Sequence, residues 1–126
     1  MILNHINIPV ENVEDTRQFF EQYLDFNCIE VKGKNDLAIM KGTDGFTLVL
    51  MSQAFNKNEL NSFPSAFHIG FLLATRQQVI DKYNKLKTSC IAMENAPANM
   101  RGIFGFYFMA PGNILVEISS DEVLSK

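Results

Sequence analysis

The chain has 126 residues, 47% of them apolar and 20% charged, with a net charge of −3. That length suits one compact domain able to bury a real core, and the ordinary globular mix leaves no case for disorder or for a membrane-embedded chain. With no block of lysine or arginine, there is no phosphate-tracking surface for nucleic acid.

The opening stretch "MILNHINIPV" lacks a charged segment followed by a long apolar run, so no leader or membrane anchor is expected. Residues 2–9 alternate as a strand, and 13–24 place Val13, Phe20, Tyr23 and Leu24 at helical spacing. Strands over 26–32, 36–41 and 46–52 follow, parted by the turn chemistry of "KGKN" and "GTDG". The polar stretch 53–65 is expected as a linker. A second series then begins, with strand 66–74 and helix 76–87 carrying Val79, Ile80, Tyr83 and Leu86 inward. Strands near 89–94, 102–109 and 113–119 complete it, with "ENAPANMR" between the first two as a loop. Cys28 and Cys90 form neither a disulfide framework nor a CxxC site, and they fit reduced thiols in a soluble cytoplasmic protein.

The two series are one pattern used twice. "HINI" at His5 returns as "HIGF" at His68, and each is followed by a helix N-cap candidate, Asn12 and Thr75. Thr75 heads a Thr-x-x-Gln capping box. "GFTLVLMS" (45–52) then returns as "GNILVEIS" (112–119), which pairs Leu50 with Glu117. The expected fold is α+β, a doubled βαβββ unit with module one at 1–52 and module two at 66–126.

Strand alternation sorts the unusual side chains by face. Ile6 and Ile8 belong to the helix side of the first strand, which leaves His5 and Asn7 opposite. By the same parity, His68 and Glu117 take the face away from the helix in their strands. The chain's only two histidines therefore share one repeat position, and with Glu117 they form a set suited to Fe(II), Mn, Zn or Ni.

The stretches "NHINI", "FHIGF" and "FYFMAPGNILVEI" resemble the vicinal oxygen chelate superfamily, which includes glyoxalase I, bleomycin-resistance proteins, fosfomycin-resistance thiol transferases and extradiol dioxygenases. The resemblance spans essentially the whole chain. It implies paired βαβββ modules curved into a cup-like mixed sheet with helices outside, around a divalent metal that chelates two neighbouring substrate oxygens. The positions it implies for ligands are His5, Leu50, His68 and Glu117, so Leu50 leaves a three-ligand site of His5, His68 and Glu117. Tyr107 stands ten positions ahead of Glu117, the spacing of a site tyrosine in the dioxygenases and fosfomycin enzymes.

The implied activity is a metal-dependent enzyme acting on a small substrate, with lyase, thiol transferase and dioxygenase chemistry all open. Glu117 and Tyr107 are the expected catalytic residues, and Asn7, Arg101 and Leu50 the expected substrate contacts, Arg101 meeting an anionic group. Leu48, Leu50 and Leu72 would make the cup apolar. The alternative is a metal-free binding protein of the bleomycin-resistance kind. A homodimer is expected from the sheet edges that need cover.

Overall fold

Each half of the chain folds as one strand, one helix and a run of antiparallel strands. The computed structural model describes residues 1–55, 62–89 and 91–124. In the first half come β1 (His5–Val10), α1 (Val13–Tyr23), β2 (Asn27–Lys32), β3 (Leu37–Lys41) and β4 (Thr47–Ser52). The short 3-10 turn Gln53–Phe55 follows, and residues 56–61 of the expected linker lie outside the described residues. In the second half come β5 (His68–Leu72), α2 (Arg76–Lys87), β6 (Ala98–Met100), β7 (Ile103–Ala110) and β8 (Ile114–Ser120). The two sheets have matching orders, β1-β4-β3-β2 and β5-β8-β7-β6, and in each the first strand runs parallel to the last and the other pairings are antiparallel.

The contacts divide the chain into two compact units, Met1–Ser62 with Pro111–Asn113 and Phe63–Ala110 with Ile114–Lys126. In the first, α1 lays Val13, Thr16, Phe19 and Phe20 onto β3 and β4, where Met40, Leu48 and Leu50 are fully or almost fully buried. The helix begins where Asn12 accepts the Asp15 N–H at 3.0 Å. In the second, Val79 and Leu86 of α2 cover Phe106, Phe108, Val116 and Ile118. Its start is the expected capping box: Thr75 Oγ1 accepts from Gln78 N, and Gln78 Oε1 accepts from Thr75 N, both at 3.1 Å. Each large buried side chain contributes about 1.5–3 kcal/mol by leaving water. These packed faces fix which way the intervening strand residues must look.

Two expectations change. Among the described residues of 89–94 no continuous strand forms: Met93 makes an isolated bridge to Phe108, and Glu94 N donates to Tyr107 O at 3.1 Å. Cys90 lies outside the described residues. Pairing with β7 resumes at β6, inside the stretch expected as a loop, after Pro97, which has no N–H to give. β6 turns into β7 through Arg101 and Gly102, both at positive φ (50° and 85°), the twist that a two-residue hairpin requires.

The second change concerns Leu50 and Leu48. Both are buried against α1, at 0% and 2% exposure, and neither lines an open sheet face. The parallel ladders give the reason. His5 faces Thr47 and His68 faces Leu115, so the first-half counterpart of Glu117 is Val49, and Leu50 matches the core residue Ile118. The printed likeness of the two segments is displaced by one residue from their structural match, and a one-residue slip exchanges the faces of a strand.

Gly105 sits opposite Ser119 in the β7–β8 ladder. A Cβ there would lie 2.7 Å from Ser119 Cβ and overlap the Ile118 carbonyl oxygen. Gly105→Ala is therefore expected to lower stability by about 1–3 kcal/mol. Urea unfolding should show a lower midpoint at unchanged slope, whereas an unchanged midpoint would mean that β7 shifts freely.

Candidate functional site

The second sheet carries a cluster of polar groups on the face away from α2. Alternation buries Ile114, Val116 and Ile118 under the helix and leaves Leu115, Glu117 and Ser119 on the other side. The three-residue turn Pro111–Asn113 joins β7 to β8 without a slip, so Ala110 pairs with Ile114 and Tyr107 with Glu117. On the opposite flank Glu117 pairs with Gly70, whose missing side chain leaves the carboxylate room. A Cβ at Gly70 would sit 3.6 Å from Glu117 Oε2.

Both carboxylate oxygens accept a hydrogen bond from a neutral hydroxyl. Tyr107 donates its O–H to Oε1 at 2.6 Å, and Ser119 donates to Oε2 at 3.1 Å. His68 Nε2 lies 3.8 Å from Oε1, and its ring meets the Tyr107 ring edge-on at 5.5 Å between centroids. The Glu117 side chain is 16% exposed and the His68 side chain 40%. Among the described residues no lysine or arginine lies within ion-pairing distance of Glu117.

The histidine is oriented by its other nitrogen. His68 Nδ1 stands 3.0 Å from the Ala66 carbonyl, which can only accept, so Nδ1 carries the proton of the neutral ring and Nε2 presents a lone pair. His5, in the first unit, has the same arrangement, with Nδ1 at 2.7 Å from Asn4 Oδ1. An imidazole held this way has the orientation that metal-ligating histidines usually have. A free imidazole nitrogen beside a carboxylate without a cation is a donor set that fits Fe(II), Mn, Zn or Ni. Among the described residues no three His, Cys, Asp or Glu side chains are gathered as a metal-binding group. The part of the expected set that the structure brings together is His68 with Glu117.

The clamp also acts on the tyrosine. The hydrogen bond to Glu117, then burial, then the negative charge itself push the Tyr107 phenol above the ordinary tyrosine range, and Arg101 opposes them. Arg101 is exposed at the β6–β7 turn, and Asn7 is exposed on β1.

Sequence reasoning placed Glu117, Tyr107 and His68 but passed over two supporting residues. Ser119 shares the strand parity of Glu117, and that was the signal available for it. Asn95 accepts the Tyr107 backbone N–H at 2.9 Å through Oδ1, and a lone asparagine in a Pro-containing loop carries no periodic signal. In the first sheet the counterparts of Glu117, Tyr107 and Ser119 are Val49, Ile39 and Met51, all apolar.

A family model described as the Glyoxalase/Bleomycin resistance protein/Dioxygenase superfamily matches residues 2–118. A solved structure described as a possible glyoxalase from Bacillus cereus is 32% identical, over 94% of this chain and 97% of that one, with a TM-score of 0.80. The fold is shared with a glyoxalase/dioxygenase from Nostoc punctiforme, at 21% identity over 97% and 92% of the two chains and a TM-score of 0.76. It is shared too with a lactoylglutathione lyase from Agrobacterium tumefaciens, at 14% identity over 94% and 92% and a TM-score of 0.77. With two βαβββ modules in matching strand order and a family match running almost from end to end, the chain belongs to the glyoxalase/bleomycin resistance/dioxygenase superfamily.

Proposed function

We propose that the protein is a divalent-metal-dependent enzyme acting on a small substrate that presents two neighbouring oxygens. One observation carries this reading: among the described residues, the largely buried Glu117 carboxylate is hydrogen-bonded by two neutral hydroxyls and faces the lone pair of His68. A buried anion without a cation is costly, and an added divalent ion relieves it. His68 Nε2 and Glu117 would hold the ion, and the third ligand proposed from the sequence repeat is His5. Bound there, the metal would supply Lewis acidity toward substrate oxygens.

The chain's own groups supply the rest. Tyr107 keeps its proton at neutral pH and donates it to Glu117 Oε1, and the phenol would become a donor to a substrate oxygen that takes the place of Oε1. Leu72, 64% exposed, and Met109, 37% exposed, give the same sheet face an apolar flank that favours a partly hydrophobic substrate. Arg101 and Asn7 are the proposed polar contacts, Arg101 for an anionic group. Leu50 has no place in this set because it is buried in the core. A homodimer is part of the proposal: β2 ends the first sheet with Ile29 and Val31 exposed, an edge that gains from cover. No helix among the described residues is long and apolar enough to cross a membrane.

Protein purified without chelator and titrated with Mn, Ni, Zn and Fe(II) should bind one of them in the micromolar range or tighter. His68→Ala and Glu117→Gln should each weaken binding by about 100-fold or more. Equal, negligible binding by all three proteins would overturn the reading in favour of a metal-free binding protein.

The clamp has a spectroscopic consequence. A phenol held more tightly in the folded protein stabilises the fold below the ordinary tyrosine range, and that contribution is lost as pH rises through the raised value. The chain has three tyrosines and no tryptophan, so phenolate absorbance is readable. Subtracting the Tyr107→Phe titration should isolate a late-ionising phenol, and Glu117→Gln should bring it down toward about 10. No change in Glu117→Gln would mean that the carboxylate does not hold the proton. Sedimentation equilibrium should give twice the monomer mass, and a monomer at all accessible concentrations would remove the dimer.

A further inference from the structure

Ser119 is a small hydroxyl residue on the face of β8 that carries Glu117. It is 3% exposed, and among the described residues its hydroxyl donates to Glu117 Oε2. Its backbone is secured independently of that hydroxyl, since Leu73 N donates to Ser119 O at 2.8 Å and Gly105 pairs with it across the ladder. The hydroxyl therefore contributes to the site rather than to the strand.

One hydrogen bond leaves a carboxylate free to turn about its last C–C bond, and two bonds to different oxygens fix its plane. Tyr107 alone would hold Oε1 as a pivot. Nothing on the far flank replaces Ser119, because Gly70 presents no side chain to Oε2. We infer that Ser119 is a positioning residue that fixes the plane of the Glu117 carboxylate, so that Oε1 stays toward His68 Nε2. As the site of metal binding, this inference rests on the function proposed above. As a statement about the orientation of Glu117, it stands without a metal.

The test uses Ser119→Ala and Ser119→Thr, with two readouts. Ala removes only the hydroxyl, and Thr restores it. The first readout is metal-independent: high-resolution crystal structures of the metal-free proteins. The carboxylate of Glu117 should occupy one orientation in wild type and Ser119→Thr, and be turned or split in Ser119→Ala. The second is Co(II) affinity, expected to fall about tenfold in Ser119→Ala and to return in Ser119→Thr, with melting temperatures alike. An unmoved Glu117 in Ser119→Ala overturns the inference. So does a loss of affinity that Ser119→Thr fails to restore. If wild type takes up no metal, the enzyme reading fails, and the crystal structures alone then decide the role of Ser119.

Discussion

A carboxylate on an inner strand of a small sheet is the constraint around which the second half of this protein is arranged. Glu117 stands between Val116 and Ile118, both buried beneath α2. Its own side chain is driven to the opposite face by the alternation that buries them. Once there it must be satisfied, and the β7–β8 register supplies Tyr107 directly opposite and Ser119 two residues along the same strand. The β5–β8 register supplies Gly70, which leaves space, and brings His68 within 3.8 Å. Moving β8 by one residue would put the carboxylate under the helix, and moving β5 or β7 would carry His68 or Tyr107 to the helix side.

The two halves repeat one pattern, but this arrangement occurs in the second sheet and not in the first. Both sheets have the same strand order, the same parallel pair and a histidine at the same position of the leading strand. At the positions of Glu117, Tyr107 and Ser119 the first sheet has Val49, Ile39 and Met51. Loss of one polar member would leave the others unsatisfied, so replacing them together with apolar residues is the cheaper outcome. His5 alone keeps the polar character of its counterpart, and its Nδ1 is oriented by Asn4 much as His68 is oriented by Ala66.

How much of this was legible in the chain differs by element. Elements whose identity follows from local chemistry could be read directly: α2 over 76–87 from its capping box and periodic Val79 and Leu86, α1 from Asn12 and Val13 onward. The pairing of Tyr107 with Glu117 was only half legible, since parity is lost if a turn inserts a residue, and the three-residue turn Pro111–Asn113 does not. Asn95 was illegible because a side chain that substitutes for a backbone acceptor leaves no pattern. β6 was hidden for a related reason: three residues after Pro97 are too short for periodicity to show.

The sequence by itself determined the repeat, the βαβββ order of each half and the face on which His5, His68 and Glu117 lie, because period-two and period-3.6 burial are local properties of a chain. Leu50 marks the limit of that reasoning. Its neighbours match those of Glu117 letter for letter more closely than those of Val49 do, yet it is packed in the core at 0% exposure. Strand register is decided by hydrogen-bonded partners far away in the chain, so the tertiary structure alone could show which residue replaces the carboxylate. The same holds for the Glu117 clamp, whose tyrosine and histidine come from other strands and meet it only when the sheet is assembled.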